Sequence, residues 1–104
     1  MSDVALLFST FPNRVEAERV AEAVLTARLA ACVNILGPCH SIYRWQGAVE
    51  RSDEVPALFK TTPQLVGRLR DRIAALHPYD LPTIEAWPVS AAAAVSDWIA
   101  AETG

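Results

Sequence analysis

Leu7-Phe8-Ser9-Thr10-Phe11-Pro12-Asn13 is followed 51 residues later by a similar segment, Leu58-Phe59-Lys60-Thr61-Thr62-Pro63-Gln64, and this pair decides the fold. Each copy reads as an apolar strand ending in Thr, followed by a Pro that opens a helix. Proline suits the first helical turn because its φ is already helical and its missing N–H would lack a partner there. Asn13 and Thr62 are suited to cap the two helices. The sequence therefore predicts a strand–helix unit that occurs twice.

The two predicted helices are each apolar on one side only. The first spans residues 14–31 and the second residues 63–76. Such helices cover one face of a sheet and do not lie inside a bundle. The same offset aligns Cys32-Val33-Asn34-Ile35-Leu36 with Thr83-Ile84-Glu85-Ala86-Trp87, which predicts a further strand after each helix. The apolar stripes are Ala17, Val20, Ala21, Val24 and Ala27 in the first helix and Leu65, Val66, Leu69, Ile73 and Leu76 in the second.

Two more strand candidates lie between the halves, at residues 41–45 and 55–59. The segment between them, residues 46–54, contains a glycine and several charges and is predicted to be the link of a hairpin. Gly37-Pro38 interrupts the strand that starts near Cys32, so the second strand is predicted to be long and bent, ending near residue 45.

A last helix is predicted at residues 92–102, where Val95, Trp98, Ile99 and Glu102 recur at helical spacing. The order is then β-α-β-β-α-β with a terminal helix, which is the ferredoxin-like α+β sandwich. A chain of 104 residues is predicted to form a single domain.

The face of the sheet that carries no helices has a consequence for assembly. Successive residues of a strand point to opposite faces, so this face carries either Tyr43 and Trp45 or the residues next to them. A monomer would leave this apolar surface in water, and the long second strand would leave backbone groups unpaired. The pattern therefore favours an oligomer.

Composition and charge exclude several classes of function. The net charge is −3 with no basic stripe, which argues against nucleic-acid binding. No run of 18 apolar residues exists, so no transmembrane helix is predicted. Met1-Ser2-Asp3-Val4 has no signal-peptide character, and the expected location is the cytosol. Cys32 and Cys39 are therefore expected to be free thiols.

The polar residues do not form a recognisable catalytic set. No serine lies in a nucleophile elbow, and Cys39 and His40 point to opposite faces of a strand, so the protein is not expected to be an enzyme. The adjacent acids Asp53 and Glu54 are interpreted as a solvated charge run in the hairpin.

Metal binding is the stronger chemical possibility. Cys32, Cys39, His40 and His77 are soft or borderline donors that suit copper or zinc, although their spacing matches no closed zinc module. His77 ends a helix, where a structural role competes with a role as a metal ligand.

A mixed aromatic and charged set is a candidate for lining a cleft between subunits. In the alternative interpretation the aromatic residues fill the interface and Lys60 pairs with an acid. The set comprises Tyr43, Trp45, Glu50, Lys60, Tyr79 and Glu85.

Several segments, in order and spacing, resemble the CutA divalent-cation-tolerance family. The resemblance covers nearly the whole chain. It is carried by Leu6 to Asn13, by Leu29-Ala30-Ala31-Cys32-Val33-Asn34-Ile35, by Ser41-x-Tyr43-x-Trp45-x-Gly47-x-x-Glu50, by Glu54-Val55 with Lys60-Thr61, by His77-Pro78-Tyr79-Asp80-x-Pro82, by Trp87-Pro88-Val89 and by Asp97-Trp98-Ile99.

The resemblance implies a cytosolic homotrimer of ferredoxin-like subunits, similar in architecture to the PII signalling proteins, and a link to tolerance of divalent metals, copper especially. It implies no known reaction. Family members studied for copper have a Cys on the first strand and a His-His pair before the Pro-Tyr turn. Here these positions are Ser9 and Leu76-His77, so only His77 carries over as a metal ligand.

Three functional hypotheses follow. The first is a non-enzymatic trimer that binds divalent copper or zinc at least weakly, with His77 contributing and a carboxylate or a partner subunit supplying other donors. The second is a PII-like regulator that takes a small anionic metabolite into an inter-subunit cleft. The third is a trimeric interaction scaffold without a small ligand.

Overall fold

The computed structural model describes residues 3–104, and Met1 and Ser2 of the N-terminal stretch considered above lie outside the described residues. Within residues 3–104 the chain forms five strands and three α-helices. They are β1 Val4–Phe11, α1 Arg14–Thr26, β2 Cys32–Ile35, β3 Cys39–Trp45, β4 Ala48–Thr61, α2 Val66–Leu76, preceded by a 3₁₀ turn at Pro63–Leu65, β5 Glu85–Val89 and α3 Ala93–Glu102.

The strands form one antiparallel sheet in the order β2-β4-β1-β5, and β3 pairs with the first half of β4. Leu7 of β1 lies opposite Phe59 of β4, and Leu6 lies opposite Trp87 of β5. With β2 and β3 taken as one interrupted strand, this is the strand order of the ferredoxin-like sandwich, and the predicted fold class is confirmed.

The second strand divides into β2 and β3 at Gly37-Pro38, where the sequence predicted an interruption. Pro56 of β4 lies beside this break. The Leu36 N–H donates to the Pro56 carbonyl at 2.9 Å, so the Pro56 nitrogen, on the same side of its strand, faces the interrupted neighbour. The interruption therefore accommodates a proline inside a central strand.

The predicted hairpin link at residues 46–54 is wrong, because β4 already begins at Ala48. The turn consists of Gln46 and Gly47 alone, both with positive φ (49° and 83°), and Trp45 pairs directly with Ala48. Two positive φ angles match the twist of a tight hairpin. Residues 39–54 thus form a two-stranded arm. Its outer part, residues 43–51, is exposed on both faces, and the charged residues there give the segment the composition of a loop.

The core lies between one face of the sheet and the helices α1 and α2. The predicted apolar stripes supply it, except that α1 ends at Thr26 and leaves Ala27 exposed. The early end coincides with Arg28, which adopts a left-handed φ of 60°. Buried members of the core are Leu7, Phe11, Ala17, Val20, Val24, Leu29, Ala30, Val55, Ala57, Phe59, Leu65, Leu69 and Ile73.

The two helix starts differ. Asn13 caps α1 as predicted, because its Oδ1 accepts from the Glu16 N–H at 2.9 Å. Thr62 occupies the equivalent position, but its side chain makes no capping hydrogen bond, so the predicted cap is wrong there. The Thr62 carbonyl instead accepts from the Leu65 N–H in a 3₁₀ turn.

The C-terminal helix α3 lies beside β4 and is fastened to Arg28, two residues after the end of α1. Arg28 donates through Nη2 to the Ala101 carbonyl and through Nε to the Gly104 carbonyl, at 2.8 and 3.0 Å. Ile99 is the buried residue of α3. No helix in residues 3–104 is both long and apolar enough to span a bilayer.

Candidate functional site

A buried carboxylate lies where the arm joins the sheet. Glu54 is only 9% exposed, and its Oε2 accepts two hydrogen bonds, from the Tyr79 hydroxyl at 2.8 Å and from Thr10 Oγ1 at 3.1 Å. Strand alternation separates it from Asp53, which is exposed and lies 2.9 Å from His40 Nδ1. The interpretation of Asp53-Glu54 as a solvated pair is therefore right for Asp53 and wrong for Glu54.

Tyr79 belongs to the segment that follows α2 and reaches back to the arm. Burial raises the pKa of the Tyr79 hydroxyl, and the hydrogen bond to Glu54 and the negative charge of Glu54 raise it further. The phenol is thus held in its neutral form and serves as a donor to the carboxylate.

His77 lies against Tyr79, with ring centroids 4.8 Å apart, and is 8% exposed. Its Nδ1 accepts from the Tyr79 N–H at 3.1 Å, which leaves the proton on Nε2, and Nε2 lies 2.9 Å from the Thr10 carbonyl. The ring stacks on Phe11 with centroids 4.5 Å apart. Burial lowers the pKa of His77, although the Thr10 carbonyl and Glu54 favour the charged form.

These contacts bear on the prediction that His77 is a metal ligand. Both ring nitrogens already have protein partners, so a metal would have to replace one hydrogen bond. Ser9, at the family's cysteine position, is fully buried and donates to the Thr83 carbonyl at 2.9 Å. Within residues 3–104 no three His, Cys, Asp or Glu side chains converge as a metal site would need. The described residues of one chain do not fit a closed metal centre, and the ligand role of His77 stays a prediction.

The two cysteines are free thiols, as expected. Cys32 lies opposite Lys60 and Cys39 lies opposite Glu54, so they are six residues apart along β4, about 20 Å at the rise of a strand. Their Sγ atoms face Asn34 and Ser41, each at 3.7 Å. The soft donors considered in the sequence therefore do not converge in this chain.

An open cleft of about 930 Å³ runs from Glu54 along one face of the arm. On this face the even-numbered residues of β4 lie directly opposite the odd-numbered residues of β3. The cleft is lined by Thr10, Ser41, Tyr43, Arg44, Trp45, Ser52, Glu54, Pro78, Tyr79, Asp80, Leu81 and Thr83.

The cleft brings together half of the residues predicted to line it. Tyr43, Trp45 and Tyr79 belong to its wall. Glu50 lies opposite Tyr43 on the arm but is exposed and outside the lining. Lys60 and Glu85 are both outside it as well, since Lys60 lies between Leu6 and Cys32 in the main sheet and Glu85 lies opposite Phe8 on the edge strand β5.

Sequence reasoning missed Glu54, Thr10, Ser41 and Ser52 as site residues. The available signal for Glu54 was its position directly before the buried run that starts at Val55, which places it inside a strand and in phase with Ser52. The charged residues that precede Glu54, such as Asp53, instead favoured the interpretation of this segment as a solvated loop.

The geometry leaves one oxygen of the cleft carboxylate without a protein partner. Within residues 3–104 both donors to Glu54 reach Oε2, and none reaches Oε1. The hydroxyl hydrogens of Thr10 and Tyr79 are thereby used. The base of the cleft therefore offers a hydrogen-bond acceptor and a negative charge.

The chain matches the model of the CutA1 divalent ion tolerance protein family over residues 5–102. A divalent-cation tolerance protein CutA from Thermus thermophilus is 42% identical over 105 residues, and the match covers 100% of both chains. Human protein CutA is 42% identical over 86 residues, which are 83% of this chain and 48% of that protein, so this chain spans about half the length of that relative.

Solved structures agree with the family match. CutA from the phytopathogenic bacterium Xylella fastidiosa superposes with a TM-score of 0.94 at 41% identity, over 99% of this chain and 100% of that chain. The fold therefore places the protein among the ferredoxin-like α+β sandwiches of the CutA type. The chain belongs to the CutA1 divalent ion tolerance protein family, and the resemblance seen in the sequence is confirmed.

Proposed function

We propose that the protein is a non-enzymatic homotrimer of the cytosol that acts in the response to divalent metal ions and takes its ligand at the Glu54 cleft. The observation that carries the proposal is the buried Glu54 carboxylate at the base of an open cleft on a projecting arm. Three is the number of copies that the family resemblance implies.

The surface of the arm supports assembly. Ile42 and Val49 are 56% and 62% exposed on one face, and Trp45 is 45% exposed on the other. Trp87 is also exposed, on the face of the main sheet away from α1 and α2. Apolar side chains on both faces of an arm would be costly in a lone chain, and sister copies would cover them.

The arrangement of polar groups supports a non-enzymatic role. The cleft hydroxyls of Ser41 and Ser52 have no free imidazole beside them, since His40 lies on the opposite face of the arm and both nitrogens of His77 are engaged. A serine nucleophile needs such a base within hydrogen-bond reach.

The proposed binding of copper or zinc is weak and draws on donors from more than one copy. Glu54 is the buried carboxylate nearest to His77, and it offers a single free oxygen. One oxygen and one engaged imidazole are too few for a closed site, so further ligands would come from a neighbouring subunit.

A metal titration tests this part of the proposal. Copper or zinc should raise the melting temperature of the chelator-treated protein, and His77→Ala or Glu54→Gln should remove most of the increase. His40→Ala is the matched control, because it removes the exposed histidine of the arm. Equal melting with and without a large excess of metal would contradict the proposed metal binding.

A regulator that binds a small ligand is the second candidate, and the geometry changes the expected charge of that ligand. The sequence predicted an anionic ligand in a cleft that includes Lys60, but Lys60 is six residues from Glu54 on β4 and lies outside the cleft lining. The cleft is lined instead by the carboxylates of Glu54 and Asp80 and by a single cation, Arg44. A scaffold without any ligand is the third candidate and is favoured if neither metal nor small molecule binds.

A further inference from the structure

We propose that Lys60 of each copy forms an ion pair with Glu85 of the next copy across the helix-free face of the sheet. The inference rests on the proposed function in one respect, that sister copies cover this face. It adds the two side chains that decide how neighbouring copies align.

The main sheet carries one charged residue of each sign. It consists of β1, β2, β5 and the second half of β4, residues 55–61, and among these residues only Lys60 and Glu85 are charged. Both lie on the helix-free face, because their neighbours along each strand face the other way. Phe59, next to Lys60, is fully buried in the core. Ala86, next to Glu85, packs against the same core.

The surroundings of the two charges are apolar. Lys60 lies opposite Leu6 of β1, and Glu85 lies opposite Phe8 of β1. Leu6 in turn lies opposite Trp87, which is exposed in one chain. Sister copies that cover these apolar side chains also remove water from the two charged groups. A charge that loses water in this way is costly unless an opposite charge faces it.

The two charges do not pair with each other within one chain. Lys60 is on β4 and Glu85 is on β5, with β1 between them, and their partners on β1 are two residues apart. Two strand spacings and two residues of rise separate their Cα atoms by about 12 Å. Within residues 3–104 neither side chain forms an ion pair. Each copy thus brings an ammonium and a carboxylate, both in need of a partner, to the face that assembly covers.

The positions of the two charges suit a ring of copies. β5 is one edge of the sheet, and β2 separates Lys60 on β4 from the other edge. The contacts of a ring join two different patches of the same chain. A ring in which the β5 edge of one copy meets the β2 edge of the next brings Glu85 toward Lys60 at every contact. Glu54, the next carboxylate on this side of β4, already accepts two hydrogen bonds within its own chain.

Charge reversal tests the pairing by sedimentation equilibrium. Lys60→Glu and Glu85→Lys each place like charges at every contact, so each variant should dissociate at a concentration at least about tenfold higher than the wild type. The double variant restores opposite charges and should assemble like the wild type. Single variants that assemble as tightly as the wild type, or a double variant that assembles no more tightly than the singles, would overturn the inference.

Two further variants are the matched controls. Arg70→Glu and Glu22→Lys make the same two charge changes at exposed positions of α2 and α1. Both helices lie on the opposite face of the sheet, so both variants should assemble like the wild type. Equal weakening in the controls would mean that net charge alone weakens the assembly, and it would also contradict the pairing.

Cross-linking tests the contact without a substitution that could prevent folding. Lys60 is the only lysine of the chain. A water-soluble carbodiimide activates a carboxylate, which then forms an amide with an amine in contact with it, with net loss of water. We expect covalently linked copies joined between Lys60 and Glu85, identified by mass spectrometry of the linked peptides. Lys60→Arg keeps the charge but has no primary amine, so this variant should assemble and give no such link.

The outcomes separate the pairing from the assembly. A wild-type trimer in which Lys60 forms no link, or is linked to a different carboxylate, would overturn the pairing and leave the proposed assembly standing. A wild-type protein that sediments as a single chain would contradict both.

Discussion

The Tyr79 hydroxyl donates to Glu54 Oε2 at 2.8 Å, and this contact joins the segment after α2 to the base of the arm. The Tyr79 N–H in turn donates to His77 Nδ1, and the opposite nitrogen of His77 lies 2.9 Å from the Thr10 carbonyl. Thr10 closes the ring of contacts through its hydroxyl to Glu54. Three residues from two parts of the chain, Thr10 in β1 and His77 and Tyr79 after α2, thus position one carboxylate.

Removing the charge of Glu54 should lower the pKa of Tyr79. Burial, the hydrogen bond to Glu54 and the charge of Glu54 together raise that pKa, and Glu54→Gln removes the charge while keeping the shape. The measurement is an ultraviolet titration of tyrosinate. The chain has two tyrosines, so a Tyr43→Phe background makes Tyr79 the only one observed.

Glu50→Gln in the same background is the control and should leave the Tyr79 pKa unchanged. If Glu54→Gln and Glu50→Gln titrate alike, the contact between Tyr79 and Glu54 does not exist in solution.

The stability of the protein should fall as the pH drops below the unfolded pKa of histidine, about 6.5. Burial lowers the folded pKa of His77, so the unfolded state binds more protons in this window and protonation favours unfolding. The stabilising effect is complete above about pH 6.5 and is lost progressively as the pH falls toward the folded pKa. Glu54 and Glu16 oppose the shift, and Arg19 adds to it.

Denaturant titrations across this range check the pH dependence. His77→Gln should flatten the dependence and lower the free energy of unfolding, because the ring loses its two hydrogen bonds and its stacking on Phe11. His40→Gln should retain the slope of the wild type. A slope that follows His40 and not His77 would show that the assignment is wrong.

The two candidate helix caps should differ in strength. Asn13→Ala removes the hydrogen bond to the Glu16 N–H and should cost about 1 kcal/mol of unfolding free energy. Thr62→Ala removes no capping bond and should change stability by less than about 0.5 kcal/mol. Urea unfolding of both variants measures the difference, and equal losses would contradict the capping geometry.

The turn of the arm should tolerate substitution less well than the break in the second strand. A Cβ at Gly47 or Gly37 would meet nothing within 4 Å, but Gly47 has a φ of +83°. Gly47→Ala should therefore cost about 1 kcal/mol through backbone strain, and Gly37→Ala should cost much less. Denaturant unfolding compares them directly. Similar costs at both positions would mean that the turn does not hold this conformation.

Most of the fold was predictable because the apolar periodicity of the two helices and the Pro-opened helix starts are local signals. The internal repeat was less reliable as a predictor of which residues of each strand face the core. The shift of 51 residues pairs Val33 with Ile84 correctly, as both pack against the core, but it pairs the buried Leu7 with Leu58, which lies on the other face of β4. The similarity thus preserves the strand–helix order but not the strand phase.

The site was harder to predict because strand alternation decides which charged side chains face the cleft and which face solvent. Asp53 and Glu54 are neighbours in sequence and have opposite environments, which became visible only when β4 was seen to continue through residues 48–54. Lys60 and Glu85 were selected by chemical type, and nothing local showed that the sheet register places them away from the cleft. Tyr43, Trp45 and Tyr79 were selected by the same chemical criterion, as aromatic side chains that could line a cleft, and they do belong to its wall.

Sedimentation equilibrium of the purified protein at micromolar concentration tests the central claim, that sister copies cover the exposed arm and the helix-free face of the sheet. One chain has a mass of 11.3 kDa. The account predicts a single species of about 34 kDa, three times that mass, both with and without chelator, since apolar surface drives the assembly. A well-folded particle of 11.3 kDa would contradict it.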